Sequence, residues 1–148
     1  MIHIRRATLE DLKPLARLFD AYRVFYEQTS DLSAAEAFLQ DRITHNESVI
    51  FIAEEDDRML GFTQLYPTFS SVSLERFYIL NDLYVSAETR GRGIGKAILK
   101  HCQDWVIKQG YKGLSLETAS DNPAQKLYER EGWSRDEGFY HYFWSKPT

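Results

Sequence analysis

The stretch from Ile79 to Lys108 constrains the fold more than any other part of this chain. It opens with Ile79-Leu80-Asn81-Asp82-Leu83-Tyr84-Val85, an apolar run rich in aromatic and branched residues that predicts a buried strand. A polar turn leads into Arg90-Gly91-Arg92-Gly93-Ile94-Gly95-Lys96. Ile94, Ala97, Ile98, Cys102, Trp105 and Val106 then recur at helical spacing, with Gly110 placed as the stop. A strand, a glycine loop and a helix in this order aim unpaired backbone N–H groups and the positive end of a helix dipole at an anion such as phosphate.

Two phosphate loops of known chemistry do not fit. A nucleotide P-loop carries Ser or Thr directly after its lysine to hold magnesium, and here Ala97 follows Lys96. The dinucleotide fingerprint needs a glycine three residues after the second one, and that position is Lys96. The spacing of Arg90, Gly93 and Gly95 instead resembles the pyrophosphate loop of the GNAT superfamily of N-acetyltransferases: Gln or Arg, two residues, Gly, one residue, then Gly or Ala. A second stretch supports the likeness. Leu114-Ser115-Leu116-Glu117-Thr118 predicts a short strand, and Asn122-Pro123-Ala124-Gln125-Lys126-Leu127-Tyr128 leads to Gly132-Trp133. This is similar to the GNAT element in which Asn, Ala and a Leu-Tyr pair precede Gly-Phe or Gly-Trp. Asn122 and Ala124 stand two apart, where many members space them three apart.

The resemblance implies an acetyl-CoA-dependent N-acetyltransferase. The loop Arg90, Gly91, Arg92, Gly93, Ile94, Gly95 and Lys96 would hold the pyrophosphate, and Leu83, Tyr84 and Val85 would align the pantetheine arm. Asn122 would join the coenzyme site, and Tyr128 would protonate the departing sulfur. Within the family the strand resembles that of the polyamine-type acetyltransferases, in which Leu-Glu-Asp precedes two aromatics and Val. This chain carries Asn81 at the glutamate's place, so a proton acceptor must be sought among Asp82 (re-aimed by a β-bulge), Glu27, Glu117 or an ordered water.

The implied fold class is α/β: a mixed, mostly antiparallel sheet flanked by helices, with splayed central parallel strands. The strand ending at Val85 and that at Leu114–Thr118 are expected as parallel neighbours, because the helix between them is a crossover. At 148 residues the chain is expected to form a single acetyltransferase domain, 1–148.

Ile2–Arg5 predicts the first strand. Thr8 with Asp11 marks a helix start, and Leu12, Leu15, Ala16, Leu18, Phe19, Tyr22 and Phe25 give that helix an apolar face. A second helix is expected from Ser33 with Glu36 as capping partner. Val49–Ala53 and Leu60–Tyr66 predict a hairpin turning at Glu55–Arg58, followed by a Ser-rich connection over Pro67–Glu75. Phe139–Trp144, aromatic at every position but His141, predicts a strand covered on both faces or a homodimer contact.

Composition narrows the partners. The content is 43% hydrophobic and 27% charged, as in an ordinary globular chain. No apolar segment reaches membrane-spanning length, the N-terminus lacks a signal-peptide core, and the lone Cys102 fits a reducing, cytoplasmic setting. A formal net charge of −4 argues against nucleic acid as partner and tolerates a cationic substrate. The histidines show no metal-ligand spacing, so no metal is expected. Tyr22, Tyr26, Tyr66, Phe69 and Tyr78 are candidates for the aromatic walls of a small-amine cleft. A protein lysine or N-terminal amine is the alternative acceptor, and an acyl-CoA-binding module without turnover is the alternative from another class.

Overall fold

A tight hairpin sets the register of the sheet. In the computed structural model, which describes residues 1–148, β2 (Val49–Glu55) and β3 (Arg58–Ser70) are joined by Asp56 and Asp57 alone. Both turn residues are left-handed, at φ 51° and 61°. That is the turn whose twist matches the flanking strands, and Asp tolerates the conformation better than most residues. β1 (His3–Arg6) pairs antiparallel with β2, and β4 (Glu75–Val85) pairs antiparallel with β3. β5 (Leu114–Ser115) joins β4 in parallel, giving the order β1-β2-β3-β4-β5. The expected parallel neighbours are therefore present.

Alternation along the strands assigns the two faces. Ile50, Ile52 and Phe62 point to α1 (Leu12–Phe25) and α2 (Leu32–Thr44), meeting Leu15, Ala16, Phe19, Ala35 and Leu39 in one buried cluster. Phe51 and Tyr78 point the other way, onto Trp105 of α3 (Ile94–Gln109). At Gly61 a Cβ atom would stand 2.8 Å from the Tyr84 carbonyl oxygen, so only glycine lets β3 sit this close to β4. Cys102 of α3 is fully buried, and burial pushes its thiol up to about 12, which makes it a packing residue.

Several local expectations change. α2 starts one residue earlier than Ser33, with Asp31 as the cap: its carboxylate accepts from the Ala34 N–H at 3.1 Å. Pro67 lies within β3 instead of beginning a loop. β2 ends its pairing at Val49 opposite Leu65, so on that side no ladder bond is lost to the missing N–H. The connection shrinks to residues 71–74.

The chain divides into two compact units, Met1–Glu117 and Thr118–Thr148. In the second, Asn122 Oδ1 accepts from the Ala124 N–H at 2.9 Å and starts α4 (Gln125–Arg130). Gly132, at φ 92°, turns the chain so that Trp133 N–H reaches the Tyr128 carbonyl at 3.0 Å, and the two rings lie 6.0 Å apart. The strand expected over Phe139–Trp144 does not form. These residues lack regular structure, and Phe139, Tyr140, Tyr142, Phe143 and Trp144 are exposed. A run of aromatic side chains makes a strand only where a partner supplies the ladder, and none pairs with this stretch.

Arg5 ties β1 to the start of α1. Its guanidinium donates to both Asp11 oxygens at 3.0 and 2.7 Å and to Glu54 at 2.9 Å, while Asp11 also accepts from the Thr8 N–H at 2.8 Å. The Arg5 hydrogen bond, then the Thr8 N–H, holds the Asp11 carboxyl below its usual range against burial. A depressed folded-state value stabilises the fold above the unfolded pKa of about 3.9, and this contribution is lost as pH falls through the folded value. Asp11→Asn is expected to cost about 1–2 kcal/mol near neutrality, since Arg5 is partly exposed. In urea titrations the gap from wild type should close in strong acid.

Candidate active site

The chain leaves β4 by a pinned route. Ser86 N–H donates to the Leu60 carbonyl at 2.8 Å, and the buried Thr89 hydroxyl donates back to the Ser86 carbonyl at 3.2 Å. Arg90 follows. Its Nε donates to the Val85 carbonyl at 3.1 Å, and its guanidinium lies over the rings of Phe25 and Tyr84 at 5.3 and 5.4 Å. Gly91 and Gly93 are both left-handed, at φ 84° and 76°, with no atom within 4 Å of where a Cβ would stand. The requirement for glycine is thus conformational, and the backbone there is open to approach. The Arg92 guanidinium is held by both carboxylate oxygens of Glu55 at 2.9 and 2.8 Å, and this ion pair keeps Glu55 below the usual carboxylate range. α3 starts at Ile94, its first α-type bond running from Ala97 N–H to the Gly93 carbonyl at 3.0 Å. Gly95 and Lys96 lie in that first turn, whose N–H groups precede the intrahelical ladder.

β4 meets β5 only at Tyr78 and Ile79. From Leu80 through Leu83, Tyr84 and Val85 the strand keeps β3 on one side and has parted from β5 on the other. Past Val85 the chain runs through the short turn at Ala87–Thr89 into the glycine loop. On the β3 side the register shifts: Gln64 faces Asp82 and Leu65 faces Leu80, so Asn81 is an extra, bulged residue.

The bulge turns Asp82 inward. Its side chain is almost wholly buried, 3% exposed, and it has no cationic partner. Oδ1 accepts from the Tyr22 hydroxyl at 2.8 Å and from Asn81 Nδ2 at 2.9 Å, and Oδ2 accepts from Gln64 Nε2 at 2.7 Å. Gln64 Oε1 in turn accepts from the buried Ser48 hydroxyl at 2.8 Å. Burial first, then the Asp82 charge, raises the Tyr22 phenol far above its ordinary value, and the same two causes push Tyr66 up to about 12. Above this network stand the rings of Tyr22, Tyr26 and Tyr84, in edge-to-face contact with centroids 5.1 and 6.0 Å apart. Tyr26 and Phe25 are exposed and Tyr22 half-buried, so the aromatic group opens to solvent above a buried charge.

The expected aromatic wall is therefore divided. Tyr22 and Tyr26 share one face, with the half-buried Tyr66 near enough to feel the Asp82 charge. Tyr78 lies on the opposite face against Trp105, because the bulge at Asn81 breaks the alternation between it and Asp82, and Phe69 is exposed under the Arg76 guanidinium. Glu27 is exposed beyond α1. No group of three or more His, Cys, Asp or Glu side chains is arranged to hold a metal ion. Gln64 and Ser48 went unremarked in the sequence. The only sign of them was an amide inside the apolar run Leu60–Tyr66, where an uncharged polar group needs a buried partner.

Comparison with known proteins places these features in a lineage. The model of the acetyltransferase (GNAT) family matches residues 15–133. The chain belongs to that family. It is 49% identical over 148 residues to the uncharacterized N-acetyltransferase YhfO of Bacillus subtilis, covering 99% of each chain. The crystal structure of a probable acetyltransferase superposes with a TM-score of 0.93 at 40% identity, again over 99% of each chain. A predicted acetyltransferase from Clostridium acetobutylicum, solved with acetyl-CoA, shares the fold at a TM-score of 0.76 and 14% identity, over 97% of this chain and 96% of its own. The protein is thus a GNAT N-acetyltransferase, with the mixed α/β fold expected of one. No helix is long and apolar enough to cross a membrane.

The Asp82 network also has a structural consequence. Gln64→Leu removes the donor to Oδ2 and the acceptor of Ser48 together, leaving a buried carboxylate oxygen unsatisfied. Thermal and urea unfolding should show a loss of about 2–3 kcal/mol, and Ser48→Ala, which leaves the carboxylate's donors in place, a loss of about 1 kcal/mol.

Proposed function

We propose that this enzyme transfers the acetyl group of acetyl-CoA to the primary amine of a small molecule by direct attack, with no covalent enzyme intermediate. The observation that carries the reading is the left-handed, uncrowded glycine loop between β4 and α3, reached from strand residues that β5 does not pair. Pyrophosphate takes N–H donors from the loop and the first turn of α3, with Arg92 kept at hand by Glu55. Pantetheine lies along Leu83, Tyr84 and Val85, using main-chain groups that β5 does not take. Asn122, which shapes the start of α4, and Tyr128 are carried over from the family's second motif, Tyr128 as the acid for the leaving thiolate.

The choice of a small amine rests on the acceptor side. An uncompensated buried carboxylate beneath Tyr22, Tyr26 and Tyr84 is suited to an alkylammonium, through charge and cation–π attraction. A primary ammonium titrates near pH 10, so the site must also dispose of a proton before attack.

Thiol release from acetyl-CoA, measured with spermidine, lysine, an aminoglycoside and a peptide with a free N-terminus, tests the reading. Turnover is expected with the small amines. Turnover with the peptide alone would move the acceptor to the protein class. Gly93→Val forces a branched residue into a left-handed position and should weaken acetyl-CoA binding about tenfold in calorimetry, with the fold retained. Arg90 substitution should weaken it less, because that guanidinium is already engaged by Val85, Phe25 and Tyr84. Tyr128→Phe should lower kcat about a hundredfold and leave coenzyme affinity unchanged, the mark of a role confined to the transition state. Full kcat in a folded variant would return Tyr128 to a packing role.

A further inference from the structure

The proton acceptor on the amine side is fixed by what covers Asp82. The carboxylate is 3% exposed, so an amine in the aromatic mouth cannot touch it. Two groups stand over Oδ1 at its solvent side: the Tyr22 hydroxyl at 2.8 Å and Asn81 Nδ2 at 2.9 Å. The amide nitrogen only donates. A phenol both donates and accepts, so it alone can take a proton from outside while handing its own inward. Gln64 Nε2 donates to Oδ2 on the inner side, and an amide N–H carries no proton in from solvent. The Asn81 carbonyl, set out of the ladder by the bulge, lies 3.5 Å from the Tyr22 oxygen. Those two oxygens form a pair of acceptors suited to two N–H groups of one ammonium.

We propose that Tyr22 is the residue that contacts the acceptor amine, and that it relays the amine's proton to Asp82, with Asn81 O as the second contact. This rests on the amine-acetylation reading above. In the step, one N–H proton of the ammonium passes to Tyr22 Oη as the Tyr22 proton passes to Asp82 Oδ1, leaving a neutral amine and a neutral phenol. The amine nitrogen then bonds to the thioester carbonyl carbon, and the C–S bond breaks with its electron pair left on sulfur. The second amine proton ends on the thiol, and Asp82 returns its own proton to solvent through Tyr22 after release. The raised phenol value fits a relay, because a standing phenolate is disfavoured. The two-acceptor geometry selects primary amines over tertiary ones, which have a single N–H when protonated.

The test compares wild type, Tyr22→Phe and Asp82→Asn, using the panel amine that wild type turns over fastest. Near pH 7, both variants should lose about a hundredfold in kcat with acetyl-CoA affinity unchanged, and the double variant should lose no more than either. The loss should shrink as pH approaches the amine's own pKa, where neutral amine arrives from solution. The titratable and charged groups facing the mouth are Tyr26 and Tyr22 on α1, Tyr66 on β3, Asp82 and Tyr84 on β4, Arg42 on α2, Glu47 before β2 and Arg90 above Tyr84. Of these, only Tyr22 and Asp82 are altered in the test. Undiminished kcat in folded Tyr22→Phe overturns the proposal, as does a loss equal at every pH, which marks packing alone. Should Tyr22→Phe fail to fold, Asp82→Asn with the same pH profile decides. Wild type inactive with every amine overturns the amine reading and this inference together.

Discussion

A carboxylate withdrawn from water must find hydrogen-bond donors, and in this protein the donors that Asp82 finds come from three separate elements. Tyr22 reaches it from α1, Gln64 from β3 and Asn81 from β4 itself. Because each donor is on a different element, the charge fixes how the helix sits over the sheet as well as how the bulge is aimed. The Phe19, Tyr22 and Phe62 rings add apolar contact around the same point, at centroid distances of 5.7–6.0 Å. Loss of one donor leaves the remainder holding an under-satisfied charge, which is why such networks are all-or-none.

The bulge has effects along the strand in both directions. Toward the N-terminal side β4 pairs with β5 and packs Tyr78 against α3. Toward Val85 it runs into the loop, whose shape is kept by ion pairs and ring contacts drawn from elsewhere: Glu55 of the hairpin for Arg92, and Phe25 of α1 for Arg90. The end of α1 therefore touches both the aromatic mouth and the glycine loop.

Comparison with the sequence reading shows where local rules suffice. Glycine spacing, helix periodicity and the capping pair at Thr8 and Asp11 involve residues within one turn or one strand of each other, and the structure carries each of them. Errors arose where the outcome depended on a partner distant in sequence. Phe139–Trp144 has the pattern of a strand and lacks a ladder, while Tyr78 was grouped with Tyr22 although the bulge at Asn81 leaves it on the α3 side of the sheet. Asp82 was one of four proton-acceptor candidates, because nothing local distinguishes a buried carboxylate from a solvated one.

By itself, the sequence determined the strand, glycine loop and helix in their order, the helices that cover the sheet and the family to which the chain belongs. These follow from residue type and short-range spacing, through backbone freedom at glycine and the 3.6-residue period of the helix. Tertiary structure alone decided that Asn81 is the extra residue of a bulge, that Asp82 is buried without a cation, and that Tyr22, sixty residues away, supplies its outer hydrogen bond. Burial and hydrogen-bond partnership are properties of elements meeting in space. No window of sequence contains them.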